Sequence, residues 1–140
     1  MDVIMSEPVV RQDAQPLMVK LVVDKKFRTH NAVKYIVENY HQKIFVKKLA
    51  SLCYMSESNF SRVFPSEHGV TAQGLIKRYR IEVAKNLLYS TQTKISYIAR
   101  KTGFQDVSYF VRTFKSLTGK TPSEFRENIL LTNTHHVTLL

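Results

Sequence analysis

The chain has 140 residues, of which 44% are hydrophobic and 23% charged, a balance that fits one compact domain and excludes global disorder. Its 21 Lys and Arg against 11 acidic residues give a net charge of +10, mostly within residues 31–127; this suits a polyanionic partner, although solvated lysine-rich faces would give the same composition. One cysteine excludes an internal disulfide, and the lack of a leader or a long apolar run predicts a cytoplasmic protein without a membrane partner.

The two ends of the chain are predicted to lie outside the folded domain. Residues 1–29 carry two prolines and scattered charges without a lasting hydrophobic period, so we expect a flexible arm. Within it, the apolar residues 19–23 favour a short strand or packing on the body. Residues 131–140 are predicted to be a frayed tail. The domain is therefore placed in residues 30–130.

From residue 30 onward, apolar residues recur every three or four positions, which predicts helices. A first helix is followed by a short second one through Leu49 and Ala50. Ser56 is expected to cap a third helix that ends before Gly69. The face of the first helix is formed by Ala32, Val33, Ile36, Val37 and Tyr40.

Four further helices are predicted in the second half of the domain. A long helix over about 72–89 is capped by Thr71, and a short fifth helix follows. Asp106 or Ser108 opens a sixth helix, through Phe110 and Phe114. The seventh begins at the sequence Thr121-Pro122-Ser123-Glu124, which combines a hydroxyl cap, a proline at the first helical position and an acid three residues after the cap.

An internal repeat relates two segments about fifty residues apart. The offset is 49 residues at the alanines and 50 from the phenylalanines onward, as one additional residue in the second turn would produce. The first segment carries Ala50, Met55, Phe60-Ser61-Arg62-Val63-Phe64, Gly69 and Thr71; the second carries Ala99, Phe104, Phe110-Val111-Arg112-Thr113-Phe114, Gly119 and Thr121.

Each repeat has the pattern of a helix-turn-helix. The alanine allows two helices to cross closely, the phenylalanines form a buried ridge, and Arg62 or Arg112 projects outward. We therefore predict units at about 46–68 and 95–118, joined by the long helix as a rigid linker. The second helix of each unit, the recognition helix, is expected to enter a major groove. The two grooves would lie about 34 Å apart on one duplex, so a dimer is not needed. The alternative is a helical bundle in which the repeat arose by duplication for packing.

The segment from Ile95 to Arg126 has a recognisable family pattern. It reads Ile-Ser-Tyr-Ile-Ala-Arg-Lys-Thr-Gly-Phe-Gln-Asp-Val-Ser-Tyr-Phe-Val-Arg-Thr-Phe-Lys from Ile95, then Gly119, Pro122, Phe125 and Arg126. With these residues, and with Arg80-Ile81 and Ala84 in the linker, the chain resembles the AraC/XylS family of bacterial transcription regulators from residue 31 to residue 127. The resemblance implies an all-α fold of seven helices in two helix-turn-helix subdomains, and sequence-specific binding of double-stranded DNA that usually activates transcription.

The family's base-facing positions fall on seven residues here. Arginine can fork onto guanine, serine can serve several base edges, and Val107 or Tyr109 can meet a thymine methyl group, although Tyr109 has packing or phosphate contact as a competing role. The base-facing candidates are Ser58, Ser61 and Arg62 in the first unit and Val107, Ser108, Tyr109 and Arg112 in the second. The candidates for phosphate contacts are Lys47, Lys48, Lys94, Arg100, Lys101, Lys115 and Lys120.

Three positions depart from the family pattern. Tyr54 stands where the second unit has Gly103, so a left-handed backbone there would be strained. Pro65 removes a backbone donor and is expected to end or kink the first recognition helix. Gly74 is expected to weaken the first turn of the linker helix.

An enzyme and a protein-interaction module are the competing interpretations. The sequence has no glycine-rich phosphate loop, no motif of paired acids and no Cys-His metal spacing, so we predict no catalytic residue, metal or cofactor. A module that recruits polymerase without reading DNA would tolerate loss of Arg62 and Arg112, whereas a DNA reader would not. Because the residues before His30 are too few for an effector domain, we expect no small-molecule site and monomeric binding. The family resemblance implies a location at the nucleoid and contact with RNA polymerase.

Overall fold

Seven helices follow one another in the computed structural model of the chain, which describes residues 26–129. The predicted all-α fold of seven helices is confirmed, and the described residues include no strand. The arm up to residue 25, with the apolar residues 19–23, and the tail 131–140 lie outside the described residues. The helices are α1 (His30–Asn39), α2 (Val46–Leu52), α3 (Glu57–His68), α4 (Ala72–Ser90), α5 (Ile95–Lys101), α6 (Val107–Thr118) and α7 (residues 122–129).

Side-chain caps fix the starts of the longer helices. Ser56 accepts a hydrogen bond from the backbone N–H of Asn59 at 3.1 Å and begins α3, and Thr71 begins α4 in the same way. Of the two predicted openers of α6, Asp106 is the cap; its carboxylate accepts from the N–H of Ser108 at 3.0 Å. Satisfying these N–H groups locally defines where each recognition helix starts.

The start of α7 is a reciprocal capping box, as the sequence predicts. The N–H of Thr121 donates to Glu124 Oε1 at 2.9 Å, and the N–H of Glu124 donates to Thr121 Oγ1 at 3.1 Å. The first of these bonds lowers the pKa of the Glu124 carboxyl. Both hydrogen bonds stabilise the turn between α6 and α7.

The core runs through both halves of the domain along the linker helix. The helix α4 packs against α3 on one side and against α5 and α6 on the other. Its buried residues, including Leu75, Ile81, Val83 and Leu88, therefore occupy more than one face. The predicted phenylalanine ridges are confirmed: Phe60, Phe64, Phe110 and Phe114 are at most 1% exposed. We call α1–α3 the first subdomain and α5–α7 the second.

The end of the predicted arm is part of the folded domain. Thr29 is fully buried, and its N–H and hydroxyl both donate to Glu67 Oε1, at 3.0 and 2.6 Å. The N–H of Arg28 donates to the other carboxylate oxygen at 2.9 Å. These bonds attach the start of α1 to the end of α3, so the ordered domain begins before residue 30.

The sequence predicts that Pro65 ends or kinks the first recognition helix, but the helix does not end there. The helix α3 continues to His68, and Gly69, with φ of 74°, closes it by donating to the carbonyl of Pro65 at 2.8 Å. Proline deprives only the carbonyl four residues earlier of its helical partner, and that residue, Ser61, lies on the exposed face where water can serve instead.

Gly74 has a steric role that the sequence does not reveal. A Cβ atom built on Gly74 would lie 2.7 Å from Val70 Cγ2 and 3.2 Å from the Thr71 hydroxyl. The absence of a side chain therefore allows the turn before α4 to fold tightly against its first residues. Its N–H is also the donor to the Thr71 cap, at 3.0 Å.

Candidate nucleic-acid interface

The turns that precede the two recognition helices are closed by the same backbone hydrogen bond. The N–H of Met55 donates to the carbonyl of Ala50 at 3.0 Å, and the N–H of Phe104 donates to the carbonyl of Ala99 at 2.9 Å. The correspondence ends at Phe104, so the additional residue that the offset predicts is Gln105. The recognition helix of the second subdomain thus starts one residue later relative to its turn.

The left-handed residue of each turn differs in its surroundings. Tyr54 has φ of 58°, the positive value that the prediction associates with strain, and its side chain is 93% exposed. Gly103 has φ of 104° and lies against Arg80 and the carbonyl of Tyr40. The first turn therefore has a strained residue facing solvent, and the second has a glycine in a crowded place.

In the first subdomain, the three base-facing candidates lie together on the outer face of α3. Ser58, Ser61 and Arg62 are all exposed, whereas Phe60, which lies between them, and Phe64, which follows them, are buried. The guanidinium of Arg62 donates to the Asn59 side-chain carbonyl at 2.5 Å. Asn59 was not among the sequence candidates, although the repeat pairs it with Tyr109 and could have identified it.

In the second subdomain, Ser108, Tyr109 and Arg112 are exposed on α6, but Val107 is only partly so and packs against the core. The Tyr109 ring lies 5.8 Å from the Phe104 ring and remains 42% exposed. The Arg112 guanidinium lies 6.0 Å from the Tyr109 ring. Tyr109 thus packs on the turn while its outer face stays free to contact a ligand. In both recognition helices, the residue three positions before the arginine contacts it.

All seven candidates for phosphate contacts are exposed, and they group at the ends of helices. One pair lies in the first turn of α2, one residue precedes α5, another pair ends α5, and two flank the end of α6. The ammonium group of Lys48 also lies 5.6 Å from the Tyr35 ring, which orients it. These residues are Lys47, Lys48, Lys94, Arg100, Lys101, Lys115 and Lys120.

A cleft of about 940 Å³ lies between the two subdomains. The loop after α1, the first half of α4 and the turn before α6 line it, and Arg100 and Arg112 reach it from the second subdomain. Lys43 and Arg80 also line this cleft, and neither was among the sequence candidates. The exposed Phe45 ring lies 5.3 Å from the Lys43 ammonium group. Lys43, Arg100 and Arg112 outnumber Asp106 in the lining, so this part of the cleft has a positive character suited to an anionic backbone, whereas Arg80 is directed to protein carbonyls.

Other chemistry finds little support in the part of the chain that the structure describes. Cys53 is buried, and burial raises the pKa of its thiol, which disfavours the nucleophilic thiolate. No group of three or more His, Cys, Asp or Glu that could hold a metal ion occurs within residues 26–129. Among the described helices, none is long and apolar enough to cross a bilayer.

Comparisons with known proteins place this geometry among DNA-binding proteins. Residues 49–128 match a family described as a helix-turn-helix domain. The chain is 32% identical over 103 residues to the bifunctional transcriptional activator/DNA repair enzyme AdaA of Bacillus subtilis (strain 168), which covers 74% of this chain and 49% of that protein. It is 35% identical over 100 residues to the arabinose operon regulatory protein of Escherichia coli (strain K12), covering 71% and 34%.

A solved structure extends the likeness to three dimensions. The DNA-binding domain of the global transcriptional factor AdpA, in complex with a target DNA, matches with a TM-score of 0.66 at 26% identity, over 69% of this chain and 87% of that chain. The chain spans about half or less of the length of the curated relatives described above.

Proposed function

Because the chain belongs to the AraC-type family of helix-turn-helix transcription regulators, we propose that one molecule reads double-stranded DNA with both recognition helices, in successive major grooves. The observation that carries this proposal is the repetition of one exposed arginine, Arg62 and Arg112, at the same place above a buried phenylalanine ridge. Packing alone requires the phenylalanines and does not require an outward arginine.

The base-facing roles follow from the exposed faces of α3 and α6. Arg62 and Arg112 each present a guanidinium that can fork onto guanine O6 and N7. Asn59 holds the first arginine through a hydrogen bond, and Tyr109 lies beside the second. Ser58, Ser61 and Ser108 add short hydroxyl groups, and Val107, because it is half-buried, offers only an edge to a thymine methyl group.

Phosphate contacts are proposed for the seven exposed basic residues at the helix ends, which are Lys47, Lys48, Lys94, Arg100, Lys101, Lys115 and Lys120. Such contacts fix the register of the protein on the duplex and make affinity fall steeply with salt. Lys43 joins them because it lies in the cleft between the subdomains, where the sugar-phosphate backbone between the two grooves would pass.

The wider role is that of a transcription activator acting as a monomer at the bacterial nucleoid, without enzymatic activity, cofactor or small-molecule effector. Two relatives support the regulatory part of this role: AdaA is a transcriptional activator as well as a DNA repair enzyme, and the arabinose protein is an operon regulator. Two reading helices within one chain remove the need for a dimer. Contact with RNA polymerase is the step that would convert binding into activation.

Selection of bound duplexes from a random DNA pool at physiological salt tests this proposal. A bipartite, asymmetric motif with its halves about ten base pairs apart is the expected result. A single half-motif would contradict reading by both subdomains and leave the first, which carries Pro65, as a backbone contact. No enrichment at all would favour an interaction module that recruits polymerase without reading DNA.

A further inference from the structure

Arg80, in the middle of α4, connects segments of both subdomains. Its Nε donates to the carbonyl of Tyr40 at 2.7 Å, and its Nη2 donates to the carbonyl of Gln42 at 2.8 Å. Tyr40 caps the end of α1, and Gln42 lies in the loop that follows. The guanidinium also lies 5.8 Å from the ring of Phe104, in the turn of the second subdomain. One side chain thus contacts the first subdomain, the linker helix and the second subdomain.

Gly103 makes this junction tight. A Cβ atom at Gly103 would lie 2.7 Å from Arg80 Nε and 2.7 Å from the carbonyl oxygen of Tyr40. The backbone of the second turn therefore lies directly against the loop of the first subdomain. A close contact of this kind leaves little room for the two subdomains to shift relative to one another.

The chemistry of arginine suits this position. Its planar fork donates to two carbonyls in a fixed geometry, which a lysine ammonium group cannot reproduce. Burial lowers the pKa of Arg80, although arginine remains protonated in proteins. Carbonyl partners compensate part of the lost hydration, so displacing the guanidinium would take a charged donor from the part-buried carbonyl of Tyr40.

We propose that Arg80 is a positioning residue that fixes the relative orientation of the two recognition helices, and thereby the half-site spacing that the protein accepts. The clause on spacing rests on the proposed function, whereas the clause on orientation requires no DNA. Neither clause makes Arg80 a base contact, because its hydrogen bonds are directed to protein carbonyls.

Arg126 provides a matched control within the same chain. Its guanidinium also donates to carbonyls, those of Leu88, Thr91 and Thr93, at 3.3, 3.1 and 2.7 Å. These carbonyls lie at the end of α4 and in the loop before α5, so the contact anchors α7 to its own half of the molecule. Removing Arg126 should loosen one subdomain without changing the orientation between the two.

The orientation is tested on the full chain by the distance between spin labels, measured by pulsed electron resonance without DNA. Labels are attached at two exposed positions, one on each recognition helix, as Ser66→Cys and Ser116→Cys in a Cys53→Ala background. Arg80→Met and Arg80→Lys should each broaden the distance distribution or shift its mean, whereas Arg126→Met should leave it unchanged.

An unchanged distribution in Arg80→Lys, with helical content preserved by circular dichroism, would overturn the inference. If Arg80→Met fails to fold, Arg80→Lys carries the test, because it retains the charge and most of the stem. A change of the same size in Arg126→Met would also overturn it, since the effect would then be general loosening.

The spacing clause is tested with duplexes in which the half-sites are moved apart or together by one and two base pairs. The unmodified protein should lose about tenfold or more in affinity at a wrong spacing. Arg80→Lys should reduce that loss severalfold while leaving affinity for an isolated half-site unchanged. Equal discrimination in both proteins would overturn the clause. Loss of isolated half-site binding in Arg80→Lys would also overturn it. No discrimination by the unmodified protein would instead contradict two-groove reading and leave the label distances valid.

Discussion

At the scale of single residues, each recognition helix separates packing from recognition within five positions. Phe60 and Phe64, or Phe110 and Phe114, are buried, and the arginine between them is exposed. The neighbours differ: Arg62 is held by a hydrogen bond and Arg112 lies beside an aromatic ring. A free arginine loses rotamer freedom on binding, so these contacts reduce the entropy that DNA binding must overcome.

Substituting Arg112→Ala or Arg62→Ala should reduce affinity for a selected site by about 1 to 3 kcal/mol each and relax preference at one base pair. The physical reason is the loss of a bidentate contact with a base edge. Fluorescence anisotropy at fixed salt measures the loss. Arg78→Ala, an exposed arginine on the linker helix, is the control, and equal losses for all three variants would contradict the assigned faces.

Tyr54 and Gly103, the left-handed residues of the two turns before the recognition helices, should respond in opposite directions to substitution. Tyr54→Gly removes left-handed strain of about 1 to 2 kcal/mol but adds chain entropy to the unfolded state, so we expect a net gain of about 0.5 to 1 kcal/mol in the free energy of unfolding. Gly103→Ala adds strain and a clash with Arg80 and Tyr40, so we expect a loss of about 2 to 4 kcal/mol. Urea unfolding measures both, and a loss for Tyr54→Gly would show that its exposed ring has a contact of its own.

At the scale of helices, local caps and one long-range contact determine where each element begins. Ser56, Thr71 and Asp106 supply caps from the adjacent chain, whereas the N–H groups before α1 are served by Glu67, 38 residues further along. Glu67 lies near the end of α3, so the start of α1 and the end of the first recognition helix are joined by the same hydrogen bonds.

Glu67→Ala should lower the free energy of unfolding by about 1 to 3 kcal/mol near neutral pH, because three donors from Arg28 and Thr29 lose a charged acceptor. Although partial burial opposes ionisation, these hydrogen bonds hold the pKa of Glu67 below its ordinary value of 4.5. A carboxyl with a lowered folded-state pKa stabilises the protein above its ordinary pKa, and the contribution disappears as pH falls through the folded value.

The difference in stability between the two proteins should therefore be largest near neutral pH and shrink below pH 4.5. Chemical unfolding at several pH values measures it, and Glu127→Ala, an exposed acid on α7, is the control. A difference that stays constant down to the acid limit would mean that Glu67 acts through packing and not through its charge.

At the scale of the whole molecule, one helix carries two subdomains that are alike in plan. The helix α4 is 19 residues long and has buried residues on more than one face, because it packs against α3 as well as against α5 and α6. The cleft between the subdomains holds the Arg80 junction, where the loop of one meets the turn of the other. The orientation of the two reading helices is thus a property of the whole fold.

The salt dependence of specific binding should be steep, because the basic residues surround both recognition helices. Each phosphate contact contributes about −0.9 to the slope of log affinity against log salt. Lys94→Ala should reduce the magnitude of the slope by about one and weaken all sequences alike. Lys77 lies on the exposed side of the linker helix, and Lys77→Ala should leave the slope unchanged. An equal effect of the two substitutions would mean that the salt dependence comes from the overall positive charge and not from a phosphate contact by Lys94.

The sequence by itself determined the helices and their repetition. Apolar spacing, hydroxyl caps and glycines act within a few residues, so seven helices, the Ser56 and Thr71 caps and the buried phenylalanines could be predicted. The repeat then indicated two units and an arginine in each. These features depend on local physics or on comparing the chain with itself.

Only the tertiary structure decided which residues meet across the chain. Glu67 with Thr29, and Arg80 with Tyr40 and Gly103, are about 20 to 40 residues apart and have no shared pattern. Val107 faces the core in part because of the way α6 packs, which helical spacing alone does not fix. Long-range contacts depend on how helices cross, and that is set by the sum of all packing and not by any one segment.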